Sequence, residues 1–271
     1  MEILIDQLST LAHPQRMALF RMLVRRCPDY VSAGDIATAL ELKASTASAH
    51  LARLTRAGLI TQARQGTSLR YQLNTDGAEA VMNGLFNDCC RGRPDLCAPF
   101  ATTKAAHSAS NRKNVLFVCS GNSARSIFAE AILRHIAPEQ FDVFSAGTTP
   151  YSEINPSTIK TLQANGVPTE GLSAKSIDAL RSDQTPEMDF VITVCDQAAN
   201  TDSPNWRGQP LYAHWGLPDP VHRTSEQDPF QATYLAIRHR LDAFAKLPFA
   251  QLDRAGLQHT LDTLAQDNPT P

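Results

Sequence analysis

A cysteine stands six residues before an arginine in the segment NVLFVCSGNSARSIFAEAIL, which runs from Asn114 to Leu133. A cysteine thiolate is a strong nucleophile, and an arginine guanidinium binds two oxygens of a tetrahedral oxyanion at once. Cys119 and Arg125 are therefore able to hold a phosphate-like anion against sulfur. A chain with six cysteines contains such a spacing by chance, so the surrounding elements must decide whether this pair does chemistry.

The pattern around this pair predicts a loop between a strand and a helix. VLFV is typical of a short buried strand, and ARSIFAEAILRHI has apolar residues at helical spacing. Backbone N–H groups at a helix N-terminus favour an anion, and the same field lowers the pKa of a thiol. We expect Gly121 to allow the curled backbone, and Ser126 to steady a Cys119 thiolate with its hydroxyl. The expected oxyanion contacts are Ser120, Gly121, Asn122, Ser123, Ala124, Arg125 and Ser126.

A second group of thiols lies in DCCRGRPDLC, where Cys89 and Cys90 are adjacent and Cys97 follows. In a continuous helix Cys90 and Cys97 would lie about 10 Å apart, too far to share one ion. Pro94 disfavours helix at the residue before it, so the chain can turn back. Three thiolates suit a soft ion, and a trigonal set fits trivalent arsenic or antimony better than tetrahedral zinc. The cluster predicts an arsenite site; three partly buried structural cysteines are the alternative.

Composition indicates a folded chain of two domains in a reducing compartment. The 271 residues are 42% hydrophobic and 19% charged, with a net charge of −2. Six cysteines in a chain of this length are no disulfide scaffold. No apolar run approaches a membrane span, and the N-terminus MEILIDQLST is acidic, unlike a secretory leader. We therefore expect a cytoplasmic protein without a membrane partner.

The first third of the chain has the order of elements of a winged helix-turn-helix. PQRMALFRMLV predicts a helix from Pro14, and SAGDIATAL predicts a short helix capped by Ser32. ASTASAHLARLTRAG predicts a second helix ended by Gly58, and LITQARQGTSLRYQLN predicts a hairpin. A last helix begins near Thr75.

Polar and basic residues fall on the elements of this pattern that would meet DNA. The second helix offers short hydrogen-bonding groups for base edges, and the hairpin flanks offer arginines for phosphates. The candidate DNA contacts are Ser45, Thr46, Ser48, His50, Arg53, Arg64 and Arg70. A helical protein-interaction module with a solvated basic face is the alternative.

The segments LAHPQRMALFRMLV, GDIATALELKASTASAHLARLTRAGLI and RQGTSLRYQLN resemble the ArsR-type metal-sensing winged-helix repressors, over essentially all of residues 5–97. This resemblance implies a homodimer formed through the N-terminal domain that binds operator DNA and leaves it when a soft metal binds. Some arsenite-sensing members carry a cysteine cluster at the end of their last helix, which agrees with arsenite as the effector.

The anion loop and later motifs resemble the low-molecular-weight tyrosine phosphatase fold, and VCSGNSARS is closer to its arsenate reductase branch. Further matches are SAGT at Ser145–Thr148, VITVCD at Val191–Asp196 and HWGLPDP at His214–Pro220. The resemblance implies a Cys119 nucleophile, an Arg125 anion clamp, a second thiol at Cys195 and a general acid at Asp219. The alternatives are Cys195 as a buried strand-end residue without chemistry, and Asp219 as an ordinary turn residue between two prolines.

The chain departs from the three-cysteine relay of thioredoxin-coupled arsenate reductases. The third cysteine is expected just before PNW, where this chain has NTDSPNW with Ser203. Serine cannot form the surface disulfide that the relay needs. We therefore expect no tightly bound cofactor and an external thiol reductant, either glutathione with glutaredoxin, mycothiol or thioredoxin.

The predicted fold is α/β overall and divides into four parts. Residues 1–97 form a winged helix-turn-helix domain, mostly α with a β-hairpin wing, and residues 98–112 form a linker. Residues 113–250 form a doubly wound α/β domain with a four-stranded parallel sheet, and residues 251–271 form a C-terminal helix and tail. The interpretation is an arsenite-responsive repressor fused to an arsenate reductase. A phosphatase domain fused to a repressor, and a pure regulator that only binds an oxyanion such as arsenate or phosphate, are the alternatives.

Overall fold

The computed structural model describes residues 2–89, 112–180, 185–201, 206, 210–223 and 228–267. The chain divides into two compact units, Met1–Ala105 and Ala106–Pro271. The predicted linker falls almost entirely outside the described residues, so the four predicted domain limits stay predictions. No helix in the described ranges is long and apolar enough to cross a membrane.

The first unit has the predicted order of helix, turn, helix and hairpin. Its elements are α1 Glu2–Leu11, α2 Pro14–Arg25, β1 Val31–Ser32, α3 Ala33–Ala39, α4 Ala44–Arg56, β2 Ile60–Gln65, β3 Ser68–Leu73 and α5 Thr75–Asn83, with a π-helical turn at Gly84–Cys89. The three strands form an antiparallel sheet in the order β1–β3–β2.

Local chemistry explains where these elements begin and end. Pro14 occupies the first turn of α2, where its missing N–H costs nothing. The Ser32 hydroxyl oxygen accepts a 3.1 Å hydrogen bond from the Asp35 N–H and so caps α3. Gly58, after α4, and Gly66, in the hairpin turn, have φ of 70° and 61°. The predicted boundaries at Pro14, Ser32 and Gly58 are therefore confirmed.

The second unit is the predicted doubly wound domain. Its elements are β4 Lys113–Cys119, α6 Arg125–Ile136, β5 Phe141–Gly147, α7 Pro156–Ala164, a 3₁₀ turn at Ile177–Leu180, β6 Phe190–Thr193, α8 Asp196–Asn200, β7 Leu211–His214, α9 Pro229–Phe244 and α10 Arg254–Gln266. The four strands are all parallel, in the order β5–β4–β6–β7. The predicted four-stranded parallel sheet is confirmed.

The sheet topology brings the chemistry-bearing residues to one edge. β4 is a central strand, and the chain leaves it to β5 on one side before returning to β6 on the other. The carboxyl ends of parallel strands meet at one edge, and a ligand crevice forms where the strand order reverses. Cys119, at the end of β4, lies at this switch point. Most residues of the four strands are buried, and the stacked rings of Phe141 on β5 and Phe244 on α9 lie 5.2 Å apart.

Candidate functional site

The loop from Cys119 to Ser126 curls at the end of β4 with its backbone carbonyls turned outward. Four carbonyls accept hydrogen bonds of 2.9 to 3.1 Å from N–H groups after β5: Cys119 from Thr148, Ser120 from Thr149, Gly121 from Tyr151, and Ser123 from Asn155. The N–H and C=O of a trans peptide point in opposite directions, so the N–H groups that follow these carbonyls face the interior of the loop. A concave set of N–H donors of this kind binds anions.

Asn122, rather than Gly121, takes the left-handed backbone conformation of the loop, with a φ of 46°. The prediction for Gly121 is wrong, because the Asn122 side chain holds the curl through three hydrogen bonds of its own. The absence of a side chain at Gly121 instead leaves room for the exposed Tyr151 ring. A Cβ at Gly121 would lie 2.5 Å from a ring carbon of Tyr151, and one at Gly147 would lie 2.6 Å from the Ser120 carbonyl oxygen.

The Cys119 thiol is buried beneath the loop and surrounded by donors. Its Sγ lies 2.9 Å from the Ser126 Oγ and accepts a 3.0 Å hydrogen bond from the Asn122 N–H. Burial raises the pKa of the Cys119 thiol, and this effect is larger than the opposite effect of the hydrogen bond with the Ser126 hydroxyl. The nearby Cys195 raises the pKa of Cys119 further. The prediction of a lowered pKa is therefore wrong for the loop in this structure.

Arg125 begins α6, and its guanidinium is engaged by the Leu217–Asp219 segment. Its Nη2 lies 2.5 Å from the Asp219 Oδ2, and its Nη1 donates a 2.9 Å hydrogen bond to the Leu217 carbonyl oxygen. The Asp219 side chain is 34% exposed, so the ion pair lies at the edge of the site. An anion bound by the loop would therefore compete with the Asp219 carboxylate for Arg125.

This competition predicts that Asp219→Asn tightens the binding of inorganic phosphate by about fivefold. A partly exposed ion pair is worth up to about 1 kcal/mol, and the anion no longer has to displace the carboxylate. Titration calorimetry with phosphate measures the change. Asp142→Asn is the control, because Asp142 pairs with Arg112 at 2.8 Å at the start of the sheet. Unchanged or weaker phosphate binding in Asp219→Asn would contradict this assignment.

Cys195 lies directly after β6 and caps α8. Its Sγ accepts a 3.4 Å hydrogen bond from the Ala198 N–H and lies 3.9 Å from the Ser120 Oγ. The thiol is 2% exposed. Because β6 pairs with β4, Cys195 lies at the same edge of the sheet as Cys119, and it acts on the pKa of the Cys119 thiol. Its part in a reaction stays a prediction.

A polar network lies behind the loop. Asn122 bonds to Ser126 and Ser145, and Ser145 bonds to Glu130. Glu130 is 2% exposed, although it lies on a helix whose other buried residues are mostly apolar.

The first unit exposes most of its candidate DNA contacts. On α4 the buried residues are Ala47, Leu51 and Leu54, so the residues between them face outward. Ser45, Ser48 and Arg53 are exposed, and Thr46 and His50 are half-buried. The His50 Nε2 lies 2.9 Å from the Gln15 Oε1, and burial is the main cause that lowers the pKa of His50.

The hairpin separates its two arginines. Arg64 lies opposite Leu69, and Arg70 lies opposite Ala63. Neighbouring pairs in an antiparallel ladder point to opposite faces, so Arg64 and Arg70 project from different sides of the hairpin. A single duplex along one face of the hairpin would meet one of them.

The predicted arsenite site is described only in part. Cys89 ends the π-helical turn with its side chain exposed. Cys90 and Cys97 lie outside the described residues, and so does Ser203. The geometry of the three-cysteine cluster therefore stays a prediction.

Comparison with known proteins found matches to each of the two units. Residues 11–63 match a helix-turn-helix domain profile. An arsenate reductase of Shouchella clausii is 28% identical over 50% of this chain and 94% of its own length. One of Oceanobacillus iheyensis is 31% identical over 50% of this chain and 97% of its own length. The crystal structure of arsenate reductase from Archaeoglobus fulgidus is 22% identical, covers 49% of this chain and 99% of that chain, and has a TM-score of 0.42.

The larger match covers the unit that carries the anion loop. Residues 114–258, more than half of the chain, match the profile of the low molecular weight phosphotyrosine protein phosphatases. The loop at the end of β4 and the four-stranded parallel sheet both lie inside this match. The chain therefore belongs to the low molecular weight phosphotyrosine protein phosphatase family.

Proposed function

We propose that the chain is a bifunctional arsenic-resistance protein, in which an arsenate reductase is joined to an arsenite-responsive repressor. The observation that carries the reductase half is the second thiol. A phosphatase needs one nucleophile at the anion loop. Two-electron reduction of the substrate needs a second thiol as well, which is oxidised together with the first to a disulfide. Cys195 supplies that group from the neighbouring strand end.

In the proposed reaction, the Cys119 sulfur attacks the arsenic of bound arsenate, and water leaves. The loop N–H groups and Arg125 hold the arsenate oxygens, and Asp219 protonates the leaving oxygen. Cys195 then attacks the Cys119 sulfur, and the sulfur–arsenic electron pair leaves with arsenic as arsenite. Two thiols become one disulfide and As(V) becomes As(III), so the electrons balance.

The proposed enzyme needs an external thiol to reduce the disulfide. Cys119 and Cys195 are each 2% exposed, so a disulfide between them would lie inside the site. Ser203 replaces the cysteine that would carry the oxidation outward in the thioredoxin-coupled relay. A small thiol such as glutathione or mycothiol reaches such a bridge more readily than thioredoxin does.

The proposed repressor half is an ArsR-type winged helix. The exposed polar residues on α4 fit the major groove, and the hairpin fits the role of the wing. In the proposal, the N-terminal domain forms a homodimer, binds operator DNA, and releases it when Cys89, Cys90 and Cys97 bind arsenite. The product of one half is then the effector of the other.

The test of the reductase is arsenate reduction by the purified chain with thioredoxin, glutathione plus glutaredoxin, or mycothiol as the electron donor. Arsenite formation with a thiol donor supports the proposal. Hydrolysis of an aryl phosphate without arsenite formation would instead identify a phosphatase. Binding of arsenate without either reaction would identify a regulator that only senses the oxyanion.

The hairpin geometry predicts an asymmetric effect on DNA binding. Replacing the wing arginine that meets the duplex by Ala should lower the salt slope of binding by about one unit, because one phosphate contact is lost. The other arginine, on the opposite face, should change the slope little. Binding titrations of Arg64→Ala and Arg70→Ala across a salt series measure both slopes. Equal, full-unit losses for both variants would contradict the opposite-face assignment.

A further inference from the structure

A buried carboxylate behind the anion loop takes no part in the proposed reaction. Glu130, on α6, is 2% exposed, and its Oε1 accepts from the Arg134 guanidinium. Its Oε2 accepts from the Ser145 hydroxyl and lies 3.3 Å from the Lys175 Nζ. A buried charge is costly unless it is paired and hydrogen-bonded. Glu130 is therefore held by two cations and a hydroxyl that must donate to it.

Lys175 contacts this network a second time, through its backbone. Its N–H donates a 2.6 Å hydrogen bond to the Asn122 side chain. Because a backbone N–H only donates, the atom that faces it must be the Oδ1 of Asn122. The Nδ2 therefore faces Ser126 at 2.9 Å and Ser145 at 2.8 Å.

The direction of each hydrogen bond then follows from its neighbour. The Ser145 hydroxyl gives its hydrogen to Glu130, so its oxygen is free to accept from Asn122. Ser126 also accepts from Asn122, which leaves the Ser126 hydrogen for the Cys119 sulfur, 2.9 Å away. A hydroxyl aimed at sulfur stabilises the thiolate more than the thiol.

We propose that Lys175 is a positioning residue for Cys119, which orients the Ser126 hydroxyl toward the sulfur through Glu130, Ser145 and Asn122. Lys175 itself touches no reacting atom. This role serves catalysis only if Cys119 is the nucleophile of the proposed function, on which the inference therefore rests. Its readout is the reactivity of the Cys119 sulfur, which needs no turnover.

Other groups also face the Cys119 site, and the experiment must separate them from Lys175. Cys195 faces it from the end of β6, and Arg125 begins the helix that follows the loop, paired with Asp219. None of these three lies on the path from Lys175 to Ser126. A background without the Ser126 hydroxyl removes that path and leaves the other groups in place.

The experiment measures alkylation of Cys119 by iodoacetamide across a pH series, followed on the Cys119 peptide by mass spectrometry in the full chain. In Lys175→Met, the pH profile of the alkylation rate should shift to higher pH by roughly one unit. On the rising limb of the profile, alkylation should therefore be about tenfold slower. Lys175→Arg should restore most of the rate, because it keeps the charge. Lys160→Met, which removes an exposed lysine of α7, should match the unmodified chain.

The decisive comparison uses the Ser126→Ala background. Ser126→Ala alone should slow alkylation as Lys175→Met does, and the double variant should be no slower than Ser126→Ala. Ser145→Ala breaks the same path elsewhere and should give the same shift, so the inference stays testable if Lys175→Met does not fold. An unshifted profile in folded Lys175→Met and Ser145→Ala, or full additivity in the double variant, would overturn the inference.

The two proposals fail in different ways. If the unmodified chain reduces no arsenate but Lys175→Met shifts the alkylation profile, the inference holds and the proposed reaction is wrong. If arsenate reduction proceeds while the profile of Lys175→Met is unchanged, the positioning role is wrong and the proposed reaction holds.

Discussion

Cys195→Ser should abolish multiple-turnover arsenate reduction while leaving hydrolysis of an aryl phosphate at or above its original rate. The serine hydroxyl occupies nearly the same volume and can still cap α8, so the anion loop keeps its shape. It cannot attack the Cys119 sulfur to form a disulfide, so arsenic has no route to As(III) within the chain. Reduction should fall by at least about a thousandfold, measured as arsenite formed per chain.

Two matched variants make this result interpretable. Cys119→Ser should remove both reduction and hydrolysis, because it removes the only nucleophile proposed in the loop. Cys27→Ser, in the first unit, should change neither activity, because Cys27 is remote in sequence from the loop and lies in the other unit. Undiminished reduction in Cys195→Ser would mean that an external thiol attacks the Cys119 adduct directly.

Arsenite should lower the affinity of the full chain for its operator by at least about tenfold. Three thiolates that bind one ion would draw together the segment after α5. In the proposed function, this change weakens the contacts of the DNA-binding elements. Fluorescence anisotropy with a labelled operator measures the release. Each of Cys89→Ser, Cys90→Ser and Cys97→Ser should bind DNA normally and lose the response.

The control for the sensor is again Cys27→Ser, which removes a thiol without touching the predicted cluster. It should release DNA on arsenite as the unmodified chain does. A triple Ser variant of the cluster that still releases DNA on arsenite would place the effector site elsewhere. Arsenate without a reductant should have no effect on DNA binding, because only the reduced product is proposed to bind the thiols.

Local chemistry made the fold predictable. Pro14, Ser32 and Gly58 mark helix boundaries through properties that each residue carries by itself, namely a fixed φ, a capping hydroxyl and tolerance of positive φ. The loop after β4 was also predictable, because a thiol and a guanidinium bracket a strand-to-helix turn. Its position at the switch point followed from the parallel sheet.

The parts that were not predictable depend on contacts between distant residues. The pKa of Cys119 reflects its burial, which the sequence pattern did not give. The positive φ at Asn122 is sustained by Lys175, 53 positions later. The pairing of Arg125 with Asp219 joins residues 94 positions apart. Each of these contacts is created by tertiary packing, and no local pattern in the sequence marks its partner.

A single-turnover experiment shows whether Cys119 and Cys195 together reduce arsenate. The fully reduced chain is first separated from every small-molecule thiol and is then mixed with excess arsenate. Arsenite and peptide disulfides are quantified. We expect one arsenite per chain and one disulfide, between Cys119 and Cys195. Intact thiols at both cysteines, with no arsenite formed, would contradict it.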